Sequence, residues 1–157
     1  MKIKLIAIGK TDKDYLKEGI DIFLKRLKHY TNFEFTIIPD IKNSKNLSEE
    51  QQKTKEGELI LQQITNSDFM CILDENGKNY SSVEFSEFMN QRMISGIKTL
   101  VFVIGGPYGF CKSVKQRANS KLSLSRMTFS HQMVRLIFIE QLYRGFTIQK
   151  GEPYHHQ

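Results

Sequence analysis

Leu100-Val101-Phe102-Val103-Ile104-Gly105-Gly106-Pro107-Tyr108-Gly109 is the stretch on which the fold turns. A short run of β-branched and aromatic residues closes on a glycine turn. A run this brief and this apolar reads as a strand buried on both faces, the central-strand type of parallel sheets. The glycines after it let the backbone take a positive φ or let a ligand approach the main chain. In open α/β sheets, ligands bind beyond the carboxyl ends of the strands. The glycine end of this strand is therefore where a ligand is expected.

Upstream, Lys2 to Gly9 reads as a first strand, and Thr11 or Asp12 is placed to cap the helix that follows. Tyr15, Leu16, Ile20, Phe23, Leu24 and Leu27 give that helix its apolar side, and the basic residues among them read as a solvated face. Asn32 to Ile38 alternates as a second strand, ended by Pro39, and Asp40 to Leu47 is a polar loop. Ser48 with Gln51, and Ser81 with Glu84, are two capping boxes. The first opens a helix from Glu49 to about Thr65 whose polar front half is expected to project from the core. Gly57 should weaken it by about 1 kcal/mol relative to Ala. The second opens a helix to about Ser95, closed by Gly96. Between them Phe69 to Leu73 is a third strand, and Asp74-Glu75-Asn76-Gly77-Lys78 reads as a turn rather than a metal or base site.

Downstream of the glycine loop come a short helix near Ser113 to Asn119, a fifth strand over Lys121 to Ser125, and a loop over Arg126 to Phe129. Ser130 can cap a last helix from His131 to about Phe146, apolar over more than one stripe. That excess calls for a second packing partner, such as a second subunit. The alternation of strands and helices predicts an α/β domain, with a mostly parallel sheet flanked by helices, spanning 1–157.

Composition bounds the rest. An apolar fraction of 39% and a charged fraction of 25% fit a soluble globular chain. No run approaches the roughly 20 apolar residues of a membrane span. The N-terminus enters a strand pattern without the features of a signal peptide, so a cytoplasmic protein is expected. The net charge of +6 permits an acidic partner without demanding one. The two cysteines, Cys71 and Cys111, have no metal-ligand spacing, and Cys111, which precedes Lys112, has no acid or histidine near it in sequence. Cys71 reads as a core residue, and no metal site is expected.

The glycine loop lacks the Lys-Ser/Thr of a Walker A loop and misses the dinucleotide fingerprint. A small-ligand loop remains. Ser123 to Gln132 mixes hydroxyls, Arg126 and His131 at a strand end and helix start, where free backbone N–H groups suit a ligand. His131 reads equally well as a water-exposed helix-start residue, and Arg144 as a helical partner of Glu140. Spacing alone stops at an α/β domain with a small-ligand site.

Val103-Ile104-Gly105-Gly106-Pro107-x-Gly109, Leu122-Ser123-Leu124-Ser125-x-Met127-Thr128-Phe129-x-His131, Glu140-Gln141-Leu142-Tyr143-Arg144 and Pro153-Tyr154-His155 carry a resemblance. Ala7 to Lys10 and Lys55 to Glu58 add to it. The chain resembles the RlmH family, large-subunit ribosomal RNA methyltransferases of the SPOUT class, over essentially its whole length. The resemblance implies a C-terminal trefoil knot formed by the glycine loop and the Leu124 to Phe129 segment. It implies a homodimer. It implies S-adenosylmethionine as methyl donor, held by Leu73, Gly105, Leu124, Ser125, Arg126, Met127, Thr128 and Phe129. The implied substrate is a pseudouridine of 23S rRNA, methylated at N3 on the assembled ribosome, with His131, Arg144, Tyr154 and His155 near the acceptor. By pKa a histidine is the better base, and Tyr154 is better suited to stacking or hydrogen bonding. The tail is expected to act across the dimer, and Lys112, Lys115, Arg117 and Lys121 to face the ribosome. The chain departs from the family pattern at His156, where relatives often carry Arg or Lys.

Overall fold

The computed structural model describes residues 1–156; Gln157, the last residue of the expected domain, lies outside the described residues. Five strands form one sheet, β1 (Lys2–Ile8), β2 (Asn32–Ile38), β3 (Phe69–Asn79), β4 (Thr99–Ile104) and β5 (Ser120–Ser123). Their order is β2-β1-β4-β3-β5 and every pairing is parallel. β4 is the central strand, as its composition requires: Leu100, Val101, Phe102 and Val103 expose no surface. Leu100, Phe102 and Ile104 point into one core, and Val101 and Val103 into the other.

Five helices cover the two faces: α1 (Asp14–Leu27), α2 (Glu49–Leu61), α3 (Ser82–Ile94), α4 (Lys112–Arg117) and α5 (Met133–Lys150). α1, α3 and α5 pack on the first core, while α2 and α4 cover the second. Both capping boxes form. Ser48 Oγ accepts from Gln51 N at 3.1 Å, and Ser81 Oγ from Glu84 N at 3.2 Å. The reciprocal bonds to the Ser48 and Ser81 N–H groups are 2.9 and 2.7 Å. Local donors and acceptors settle these helix starts, which is why they are readable from four residues.

Other expectations shift where distant groups intervene. α1 begins after Lys13 with no side-chain cap. Thr11 Oγ1 is bonded instead by Arg135, and the Asp12 N–H by Gln132. α2 ends at Leu61, short of Thr65, and Gly57 is no simple weakness. A Cβ there would lie 2.3 Å from Cys111 Sγ, so the small residue permits α2 to pack on the head of α4. α5 starts at Met133, leaving His131 in the preceding turn, and runs to Lys150 rather than Phe146. Ser130 still contributes, its Oγ accepting from Met133 N at 3.1 Å. The excess apolar surface of α5 is largely met within the chain. Phe138, Ile139, Leu142 and Phe146 are buried in the core that α5 shares with α1 and α3.

The expected turn at 74–78 is a bulge inside a longer strand. β3 pairs with β5 up to Leu73, bulges outward, and rejoins β5 with Lys78 opposite the same Leu122. Asp74 Oδ1 accepts from Asn76 N at 2.9 Å, which closes the bulge locally. Gly77 lies against β5 so closely that a Cβ would stand 2.6 Å from Leu122 C and 2.7 Å from Leu122 N. Backbone cannot yield as a flexible side chain can. Gly77→Ala should cost about 1–3 kcal/mol of stability and loosen β5. Urea unfolding reads the loss; an unchanged midpoint would mean that the bulge moves freely.

At the other edge, Glu34 of β2 bridges Lys2 at 2.5 Å and Lys4 at 3.5 Å on β1. The Lys2 ammonium and the Thr36 hydroxyl hold its carboxyl down to about 2. A depressed carboxyl stabilises the fold above its unfolded pKa, and the contribution disappears as pH falls through the folded one. Because the Lys2 and Glu34 side chains are each 40% exposed, solvent screening keeps this below about 1 kcal/mol. The stability gap between wild type and Glu34→Gln should be present at neutral pH. It should close as pH falls from about 5 to about 2, which acid-series urea melts would show.

Candidate functional site

The bulge of β3 and the carboxyl ends of β4 and β5 open into a cleft of about 540 Å³, within the range of small-molecule sites. Three stretches distant in sequence build it. β3 brings Leu73 and the bulge residues Asp74, Glu75 and Asn76. β4 brings Ile104 and the glycine loop from Gly105 to Phe110. β5 brings Leu122 and the segment that leads to α5. Of the residues expected to hold the donor, Leu73, Gly105, Leu124, Ser125, Met127, Thr128 and Phe129 all line this cleft. Arg126 does not line it, and its side chain is exposed.

The segment after β5 is folded on itself. Ser123 Oγ donates to Ser125 O at 2.9 Å, and Ser125 Oγ accepts from Met127 N at 2.9 Å. Asn79, just beyond the bulge, donates to Ser123 O at 2.9 Å. This turn leaves the Met127 side chain 78% exposed at the cleft. Leu73, Ile104, Leu124 and Phe129 supply apolar surface, and Asp74, Glu75, Ser125 and Thr128 supply acceptors and hydroxyls. Such walls suit a small ligand with one apolar part and several polar groups. Lys115 stands 3.8 Å from Asp74 across the cleft. The bulge acids escaped the turn reading; acids at the carboxyl end of a strand were the available signal.

His131 belongs to the cleft, but Arg144, Tyr154 and His155 do not line it. Val134 lines the cleft, and Arg144 lies ten residues further along α5, about 15 Å away along the axis. Around Arg144 a second cluster forms on Glu140. Arg144 Nη2 and Nε donate to Glu140 Oε1 at 2.6 and 3.1 Å, and Tyr154 Oη donates to the same oxygen at 2.9 Å. The Arg144 guanidinium lies 4.7 Å from the Tyr154 ring centre, and its Nη1 is 3.3 Å from His155 Nδ1. Burial, then the bond to Glu140, push the Tyr154 hydroxyl up, against any use of it as a base. The tail is anchored from the other side by Glu152, which accepts from the Tyr30 hydroxyl. Tyr143 packs edge-on against Tyr154. Glu140 is thus the hub of this cluster, not just a helical partner of Arg144.

Of the basic residues expected to face the ribosome, Arg117 is committed within the chain. Its Nη2 donates to Thr65 O and Asp68 O at 2.8 and 3.0 Å, pinning the turn before β3. Cys71 is fully buried, and burial raises its thiol to about 11. Among the described residues no group of three His, Cys, Asp or Glu could hold a metal. Among them, too, no helix is long and apolar enough to cross a membrane.

A family model described as "Predicted SPOUT methyltransferase" matches residues 1–155. Proteins named ribosomal RNA large subunit methyltransferase H are similar along the full length of both chains. The one from Flavobacterium johnsoniae is 65% identical, that from Christiangramia forsetii 64%, and that from Parabacteroides distasonis 57%, each over 157 residues.

Proposed function

The chain belongs to the SPOUT methyltransferase family, and from that premise we propose that it is a cytoplasmic, S-adenosylmethionine-dependent methyltransferase of large-subunit ribosomal RNA. The acceptor we infer is N3 of a pseudouridine in 23S rRNA on the assembled ribosome, and the working form is a homodimer of one SPOUT domain per chain. The observation that carries this reading is the cleft, where Leu73, the glycine loop and the Leu124 to Phe129 segment meet. These are the segments that the family resemblance assigns to the knot and to the donor.

The donor supplies a methyl group already activated on a sulfonium. Leu73, Leu124 and Phe129 would cover the faces of its adenine, with Ser125 and Thr128 at its polar edge. Met127 closes over it, and Arg126, outside the cleft, is left for the anionic RNA.

The acceptor N3 must lose a proton as it attacks. With Nδ1 facing an Arg144 N–H, a neutral His155 carries its proton on Nε2 and serves as a donor to the base. His131, exposed at the cleft, keeps a free ring nitrogen and is the proton acceptor of the scheme. Arg144 steadies the negative charge that builds on the imide, and Tyr154 stacks on or hydrogen-bonds the target base. The 15 Å or so between the cleft and this cluster along α5 places them in one active site only if the tail serves the partner's cleft.

Transfer of labelled methyl from S-adenosylmethionine to ribosomes lacking the modification tests the reading, with the labelled nucleotide mapped. Label at a pseudouridine N3 of 23S rRNA is expected. Absence of label, with donor binding retained, would overturn the assigned acceptor and leave a different RNA acceptor or a non-catalytic ribosome factor as the alternatives.

A further inference from the structure

Glu56 takes no part in the scheme above, yet it lies beneath the glycine loop. It is 2% exposed, and its Oε2 is closed off from solvent without a hydrogen-bond partner. Its other oxygen accepts from Gln52 Nε2 at 2.9 Å. A Cβ built on Gly106 would stand 2.4 Å from Oε2 and 2.8 Å from both Cδ and Oε1. The carboxyl group therefore fills the space that a side chain at 106 would take. The same loop lines the cleft from Gly105 to Phe110.

We propose that Glu56 is a positioning residue for the methyl donor: its carboxyl group seats Gly106 and so holds the glycine loop in the shape that binds. The inference rests on reading the cleft as the donor site. An unpartnered, buried carboxyl oxygen tolerates the neutral form far better than the ionised one. Burial is the main force pushing this group up; the hydrogen bond from Gln52 opposes it, and the Asp40 carboxylate, from the segment after β2, adds a smaller upward push. On its own helix Lys53 is paired with Glu50 at 2.7 Å. From the residue that precedes α4, Cys111 packs on the neighbouring Gly57. No cation among these groups favours the carboxylate. Ionised Glu56 would draw water toward a carboxyl that now fills the space under Gly106, which works against the seated loop. Donor affinity should then weaken as pH rises.

Calorimetric titration of the full chain with S-adenosylmethionine, from about pH 6 to about pH 9, tests this. Glu56→Gln keeps the shape and hydrogen bonding of the neutral acid. It should bind within about twofold of wild type at the low end and lose the part of the pH dependence that belongs to Glu56. Every other ionisable group is common to both proteins, so the difference between the two curves isolates Glu56. Glu56→Ala and Gly106→Ala should each weaken binding about tenfold. The double variant should be weakened by much less than the product, because the methyl group added at position 106 enters the space that the Glu56 carboxyl vacated. Melting temperatures confirm which variants are folded, and Glu56→Gln serves if the truncations are not. Wild type that shows no saturable donor binding overturns the reading of the cleft. Wild type that binds, with pH curves parallel to those of Glu56→Gln, overturns the coupling of Glu56 ionisation to donor affinity, and a folded Glu56→Ala that binds as wild type does overturns its role in seating Gly106. So does full multiplicativity of the two alanine variants.

Discussion

Arg144→Ala is expected to lower methyl transfer by roughly a hundredfold or more while leaving S-adenosylmethionine affinity within about twofold of wild type. The separation of effects follows from where the guanidinium sits. It is outside the cleft, bonded to Glu140 and facing His155 and the Tyr154 ring. Removing it takes away the guanidinium that bonds Glu140 and faces both tail residues, and leaves only Arg26, over the Tyr143 ring, as a nearby fixed positive charge. Arg144→Lys should recover little, since an ammonium cannot reproduce a fork that bonds Glu140 through two nitrogens while lying over a ring. The sharper form of the test uses mixed dimers. Leu124→Arg places a charge in the apolar part of the cleft and should abolish donor binding. Heterodimers of Arg144→Ala and Leu124→Arg chains, purified with two tags, carry one intact site if cleft and tail come from different subunits. They should then show about half of wild-type activity. If cleft and tail act within one chain, they should show none.

The second large effect is on stability. Arg135 has no exposed surface. Its Nη2 donates to Ile8 O at 2.6 Å and its Nη1 to Gly9 O at 2.8 Å and to Thr11 Oγ1 at 3.1 Å, while Nε donates to His131 O at 3.0 Å. One side chain thus ties the end of β1 to the turn that presents His131 to the cleft. Burial depresses its ionisation, and the charges of Asp12 and Asp40 oppose that; a guanidinium remains protonated regardless. Arg135→Met fills similar space but leaves three carbonyl oxygens unpaired. It should cost about 3–5 kcal/mol. For a chain of this size that is a fall in melting temperature of roughly 10 °C. A shift of less than about 2 °C would mean that desolvation of the guanidinium cancels its bonds.

Glu56 and Arg135 share a lesson about what periodicity can reveal. Both lie in helices, and both are charged residue types expected on a solvated face. Glu56 sits in the half of α2 expected to project from the core, yet it is 2% exposed. The pattern of neighbours says which face of a helix is apolar. It does not say that a glycine from the loop after β4 leaves room for a carboxyl, or that open carbonyls at the end of β1 will meet a guanidinium 127 residues away.

The sequence by itself determined the elements whose causes are local. β4 is central because every residue from Leu100 to Ile104 is apolar. α2 and α3 begin where they do because a serine and an acid or amide three residues later satisfy each other's backbone. Ordered motifs along the whole chain carried the family resemblance and, with it, the expectation of which segments hold the donor. Tertiary structure alone decided what depends on contacts between distant segments. These are the strand order, the rejoining of β3 with β5 beyond the bulge, the capture of Thr11 by Arg135, and the burial of Glu56 under Gly106. It also separated His131 from Arg144, Tyr154 and His155, four residues that the motifs present as one set. The reason is geometric. A helix of fixed rise sets its two ends apart whatever their chemistry, and burial of a polar group is settled by the partners that the rest of the chain brings to it.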